Sequence, residues 1–116
     1  MKRVYVVQEP LRIDRETGRA VLRFPLDDAR RYGELRPVLG WSDVLDLTTE
    51  QLIDKMILRM DGYDKDDFLL VCGNPTMIGI AIHIAIEAAE TVNVLEWDKV
   101  GKRYDLRSFS SFYLED

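Results

Sequence analysis

Strand-like and helix-like segments alternate along these 116 residues. The alternation predicts a single α/β domain spanning residues 1–116, with a three-layer, Rossmann-like or flavodoxin-like, mostly parallel sheet. Four to five strands fit the length, with an antiparallel hairpin at one edge. Three observations carry the expectation. Apolar runs suited to buried strands stand at residues 4–7 and 68–72, and residues 92–97 read as another strand. A long apolar segment, residues 75–90, has the length of a helix and follows a Gly73-Asn74-Pro75-Thr76 corner. Thr48 and Gln51 stand at capping-box spacing ahead of another helical repeat.

Taken in order, residues 3–8 read as a buried strand that Glu9-Pro10 closes. Residues 11–24 place a polar turn, Asp14-Arg15-Glu16-Thr17-Gly18, between two half-apolar arms, which is a short hairpin or an excursion loop. Pro25 suits a first helical position, so residues 26–32 predict about two helical turns ending at Gly33. Residues 35–39 form a short strand. Pro37 offers no N–H to a ladder and puts that strand on a sheet edge. Across the Thr48 cap, Leu47 and Leu52 occupy hydrophobic-staple positions, and Leu52, Ile53, Met56, Ile57 and Met60 then recur on one face. That helix runs over residues 49–61 and stops at Gly62.

Residues 68–72 make the central strand. Asn74 is a good N-cap and Pro75 a good first residue for the helix over 75–90. Its polar residues Gly79, His83, Glu87 and Glu90 share a narrow wedge, and nearly all the rest is apolar. A surface helix ordinarily buries a stripe about 100° wide. This helix therefore calls for extra cover, from inside the domain or from a second subunit. Residues 92–97 form a strand, 98–102 a turn, and 103–108 pair back antiparallel. Residues 109–116 are a short strand or a packed end.

Composition narrows the function classes. One cysteine rules out a disulfide within the chain and suits a reducing cytoplasm. Residues 1–7 lack the apolar core of a signal peptide, and the run 77–89, interrupted by His83, is too short to span a bilayer. The net charge of −5 divides into +3 over residues 1–40 and −8 over 41–116. An acidic chain is a poor binder of nucleic acid, whose affinity rests on phosphate neutralisation. The arginines of the first third still allow a local basic patch, or simply a solvated face.

In such a sheet the C-terminal strand ends converge on one rim, where ligands bind. The rim gathers Gln8 and Glu9, then Gly40, Trp41, Ser42 and Asp43, then Gly73, Asn74 and Thr76, then Trp97 and Asp98. With the first and third main strands side by side, Gln8 and Glu9 face Asn74 and Thr76. Two readings of the corner stay open. Capping alone explains Gly73, Asn74 and Pro75; alternatively, the helix N-terminus with Thr76 and Asn74 holds a small anion or a base. No lysine follows the glycine as in a P-loop, and Gly73 with Gly79 does not make a dinucleotide fingerprint.

Elsewhere, His83 pairs with Glu87 on the helix surface, and Cys72 is a small buried hydrophobe. Asp61, Asp64, Asp66 and Asp67 lack the order of an EF-hand loop, and no metal site or cofactor is expected. Glu9 with Asp98 is a carboxylate pair to be tested by geometry, and Trp41 and Trp97 are rim aromatics that either stack on a base or pack the core.

Val4-Tyr5-Val6-Val7-Gln8-Glu9-Pro10, Tyr32-Gly33-Glu34-Leu35, Asp67-Phe68-Leu69-Leu70 through Gly73-Asn74-Pro75, Ile78-Gly79 and Leu95-Glu96-Trp97-Asp98 together resemble a group of small hypothetical proteins of tailed bacteriophages. The resemblance implies a phage-encoded protein made in the host cytoplasm and transfers no catalytic residue. Two function classes follow. One is a non-enzymatic binding module for a host or phage macromolecule, acting as a homo-oligomer. The other is a nucleotide- or phosphate-binding domain, as a hydrolase or transferase, with its ligand at Gly73–Thr76.

Overall fold

A computed structural model describes residues 2–111. Its centre is a five-stranded sheet of order β4-β1-β5-β6-β7, formed by β1 (Arg3–Gln8), β4 (Glu34–Leu39), β5 (Phe68–Leu70), β6 (Thr91–Asp98) and β7 (Arg103–Ser110). The first four are parallel, and β7 returns antiparallel to β6. A separate two-stranded hairpin joins β2 (Leu11–Ile13) to β3 (Ala20–Leu22). The mostly parallel sheet and its antiparallel edge are those that the alternation predicts. The expected edge strand is also found: β4 pairs with β1 alone, with Pro37 opposite Val6.

At β1 both faces of the sheet are dry, because Val4 to Val7 alternate between two clusters and all four are buried. On one face Tyr5, Val7, Leu69, Val92 and Val94 meet helix α2 (Thr49–Arg59) through Leu52 and Met56, and helix α3 (Pro75–Ala89) through Met77, Ala81 and Ala85. Burying each such side chain contributes about 1.5–3 kcal/mol. On the other face Val4, Val6, Phe68, Leu70, Leu95 and Tyr104 are covered by Ala29, Phe24, Leu26 and Tyr32. The cover there is thin, and it corrects one expectation. Residues 26–32 do not form an α-helix; Asp27–Arg31 is a single 3₁₀ helix. Leu26 supplies no side-chain cap, and Asp28 is drawn off to accept from the Tyr104 N–H at 3.1 Å. A short α1 (Asp43–Asp46) precedes α2.

The caps form as their sequence dictates. Thr48 accepts from Gln51 N at 3.2 Å while Gln51 accepts from Thr48 N at 2.9 Å, which is the full capping box. Asn74 accepts from Thr76 N at 2.9 Å, and Pro75 opens α3. The apolar α3 is covered in part: Ile78, Ile80, Ile82, Ile84 and Ile86 are half-buried at the margins of the first cluster. Phe109 and Ser110 extend β7, whereas the expectation for 112–116 lies outside the described residues.

Candidate functional site

The two strands that end at the Gly73 corner and at Gln8 are neighbours, in register Val4↔Phe68, Tyr5↔Leu69 and Val6↔Leu70. This brings Gln8 against the corner, as the sequence anticipates. The contact is intimate. Gln8 Oε1 accepts from Asn74 N at 3.0 Å, and Cys72 Sγ donates to the Gln8 carbonyl at 2.9 Å. Gly73 has φ +102°, and a Cβ added to it would stand 2.5 Å from Gln8 Cβ. Only glycine lets the chain turn here with Gln8 in place. The side-chain carbonyl oxygens of Gln8 and Asn74 thus accept from the helix start.

The other rim residues disperse. Glu9 lies beside Gly40, whose added Cβ would sit 3.3 Å from Glu9 Oε1, on the β4 side of β1. Asp98 accepts from Val100 N at 3.0 Å and so braces the β6–β7 turn. Because β5 lies between β1 and β6, Glu9 and Asp98 are not brought together as a pair. Trp41 follows β4 and Trp97 ends β6, with two strands between them. Thr76 is exposed at the first turn of α3.

What the rim does assemble is a cleft of about 510 Å³ lined by Arg23, Phe24, Pro25, Trp97, Lys99 and Lys102. An adjoining hollow of about 330 Å³ continues it past Cys72 and Gly73. Its construction can be followed bond by bond. Tyr104, buried beneath, donates its hydroxyl to the Pro25 carbonyl at 2.7 Å and fastens the Phe24–Pro25 segment to the sheet. Burial raises that phenol well above its ordinary pKa, so it remains a hydrogen-bond donor throughout the neutral range. Trp97 packs on Tyr104 at 5.1 Å between centroids, and Phe24 lies parallel to Trp97 within 10° at 6.1 Å. Lys99 and Lys102 come from the β6–β7 turn, where Lys102 adopts φ +51°. Three cations thus surround an aromatic floor on an acidic protein. Glu96, at the margin of the hollow, is held by Arg107 at 3.1 Å.

Other titratable groups lie in structural roles. Burial pushes the Cys72 thiol up to about 11, which leaves it neutral and unreactive at pH 7. His83 and Glu87 are a solvent-exposed pair at 3.9 Å on the outer side of α3. Asp67, 2% exposed, accepts from Arg3 N and Asp64 N, each at 2.9 Å, and pairs with the Arg3 guanidinium at 3.0 Å. Among the described residues no group of His, Cys, Asp and Glu is arranged to hold a metal ion. None of the described helices is long and apolar enough to cross a membrane.

A profile of the phage Pam3 gp32-like protein family matches residues 2–110, nearly the whole chain and every element of the sheet. The chain belongs to the phage Pam3 gp32-like protein family. No curated protein and no solved structure matches it. In this family member, then, sequence reasoning names Trp97 of the cleft and Gly73 of the adjoining hollow but not Arg23, Phe24, Lys99 and Lys102. The two lysines carry a legible signal, since the turn after the Trp97 strand must sit on the same rim. Arg23 and Phe24 carry none, because their position depends on how the hairpin segment returns to the sheet.

Proposed function

We propose that this phage-family protein is a non-enzymatic binding module whose rim cleft takes a phosphorylated, ring-bearing ligand of the nucleotide type, in the host cytoplasm. The single observation behind the reading is the convergence of Arg23, Lys99 and Lys102 on the Phe24–Trp97 floor. Guanidinium and ammonium groups pair with phosphate oxygens, and flat aromatic faces stack on a base. The cleft volume is in the range of small-ligand sites, roughly 300–1,000 Å³. The strand order reverses between β1 and β5, which supports a doubly wound, Rossmann-like reading, and the cleft lies on the same carboxyl rim at the end of β6. Cys72, at the margin of the adjoining hollow, is held neutral by burial and supplies no thiolate, which favours a binding role over thiol-based transfer chemistry.

Thermal-shift measurements with nucleoside mono- and triphosphates, the matching nucleosides and inorganic phosphate test this reading. A ligand at 100 times its Kd adds about 2.7 kcal/mol, on the order of 10 °C in a domain of this size. The expected ranking is nucleotide above either fragment alone, with the shift abolished in Lys99→Ala/Lys102→Ala. No shift with any phosphorylated ring compound at millimolar concentration would refute the proposal.

A further inference from the structure

The register of the β2–β3 arm sorts its side chains by face. Backbone bonds extend the ladder by one pair at each end: Arg23 N donates to the Pro10 carbonyl at 2.7 Å, and Asp14 N to the Arg19 carbonyl at 2.8 Å. Successive residues of a strand point to opposite faces. Leu11, Ile13, Ala20 and Leu22 therefore share one face, and Arg12, Arg19 and Arg23 share the other. These three arginines are exposed, and none has an ion pair among the described residues. Asp14 lies on their face, but its carboxylate accepts from Glu16 N at 2.8 Å and Thr17 N at 3.3 Å and so serves the turn. Residues 11–24 carry four arginines against two carboxylates, a net of +2 on a chain of net −5.

The spacing of the row is regular. Arg23 stands opposite Pro10, Arg12 opposite Val21 and Arg19 opposite Asp14, so each arginine is two rungs from the next. Two residues of antiparallel strand advance about 6.8 Å. Three bonds span the roughly 3.8 Å between consecutive Cα atoms, and by the same geometry the six bonds between successive phosphates of an extended nucleic-acid strand span roughly 6–7 Å. The row also has a direction. Arg23, at one end, lines the rim cleft and the adjoining hollow, and the next residue, Phe24, lies parallel to Trp97 in the cleft floor. The arginines thus lead outward from the cleft. A single nucleotide has no use for Arg12 and Arg19, whereas a chain of phosphates does.

Resting on the reading of the cleft given above, we infer that its ligand is the end of a single-stranded nucleic acid. The terminal base stacks on the Phe24–Trp97 floor between Lys99 and Lys102, and the phosphates that follow lie on Arg23, Arg12 and Arg19 in that order. Aromatic stacking combined with a cationic track for the backbone is the physical basis of sequence-tolerant single-strand binding. An acidic peptide would satisfy the arginines but leave the aromatic floor unused.

Calorimetry of the full chain at about 50 mM salt, with deoxyadenosine 5′-monophosphate and with a 5′-phosphorylated deoxyadenosine tetranucleotide, tests the inference. The tetranucleotide is expected to bind on the order of tenfold more tightly, the difference coming from two exposed arginine contacts. Arg12→Ala/Arg19→Ala should keep the parent's circular dichroism and monophosphate affinity while losing that gain. Its plot of log affinity against log salt should be shallower by about 1.4, or about 0.7 for each phosphate released. A gain that survives in this variant would overturn the inference, as would equally tight binding of duplex DNA or of polyglutamate. Monophosphate binding with no tetranucleotide gain would overturn the inference alone, whereas no binding of either ligand would remove the reading of the cleft with it.

Discussion

Replacing Gly73 with alanine tests the junction on which the rim is built. The added methyl carbon would stand 2.5 Å from Gln8 Cβ and 2.8 Å from Gln8 Cδ. Carbon atoms rest about 3.5–4.0 Å apart, so something must move. Gln8 Cβ is fixed to β1, which is paired on both sides, and its amide is fixed by the 3.0 Å bond from Asn74 N. Overpacking of this kind costs about 1–3 kcal/mol. A side chain held at φ +102° costs a further 1–3 kcal/mol or so. Disturbing the Gln8–Asn74 bond adds about 1 kcal/mol. A loss of about 3–7 kcal/mol is therefore expected against a total stability on the order of 5–15. With a urea dependence of about 1–3 kcal/mol per molar, the unfolding midpoint should fall by roughly 2 M. Gln8→Gly removes the clashing atoms but not the φ strain, so the double mutant should show a coupling of about 1–3 kcal/mol. A Gly73→Ala loss below about 1 kcal/mol, with no coupling to position 8, would show that the ends of β1 and β5 do not meet in this way.

Asp67→Asn should cost about 2–3 kcal/mol by chemical denaturation, because the carboxylate serves two backbone N–H groups and Arg3 at once. The figure is at the low end for a broken pair because the Arg3 side chain is 27% exposed and partly rehydrates. Stability should hold up to about pH 10 and then decline toward pH 12. Burial pushes the Tyr63 phenol up to about 12, above the value of about 10 in the unfolded chain, so protonated Tyr63 favours folding until it titrates. Tyr63→Phe should lessen that decline in an alkaline denaturation series, the raised Tyr104 and Tyr5 phenols accounting for the rest. On the acid side, Asp43 stabilises above about pH 4 and loses that contribution as pH falls. Burial pushes its carboxyl up, but the hydrogen bonds from Lys55 and Gly40 outweigh burial and hold it below the usual range. An Asp43→Asn variant whose stability changed with pH as the parent's does between pH 4 and 2 would contradict this. Asn74→Ala should cost about 1 kcal/mol of stability as a lost cap while leaving nucleotide affinity in the rim cleft unchanged, measured by calorimetry.

Features that depend on a few neighbouring residues were legible in the sequence. The Thr48–Gln51 box, the Asn74–Pro75 start and the edge position of Pro37 each follow from which backbone groups a local side chain can satisfy. The 3₁₀ segment was not legible because its conformation is decided from afar: Asp28 answers to Tyr104, 76 residues away. The two Asp–Arg pairs of that segment, Asp27 with Arg30 and Asp28 with Arg31, sit at i, i+3 and suit either helix type. The cleft was legible only at Trp97, with Gly73 in the adjoining hollow, for the same reason. Gly73 and Trp97 are placed by strands, whereas Phe24 depends on the Tyr104–Pro25 bond across 79 residues.

The rim also shows why a corner that looks like an anion site need not act as one. A helix start offers backbone N–H groups, and these go to whichever acceptor is already fixed nearby. Gln8 is delivered by the adjacent parallel strand and Asn74 by the cap itself, so both acceptors are in place before any ligand arrives. A ligand would have to displace internal hydrogen bonds to use those groups. Arg23, Lys99 and Lys102 have no such commitment among the described residues, and they stand over rings that a base can stack on. On the proposed reading, recognition at this rim rests on side chains contributed by the arm and the edge hairpin, while the glycine corner brings the strands together.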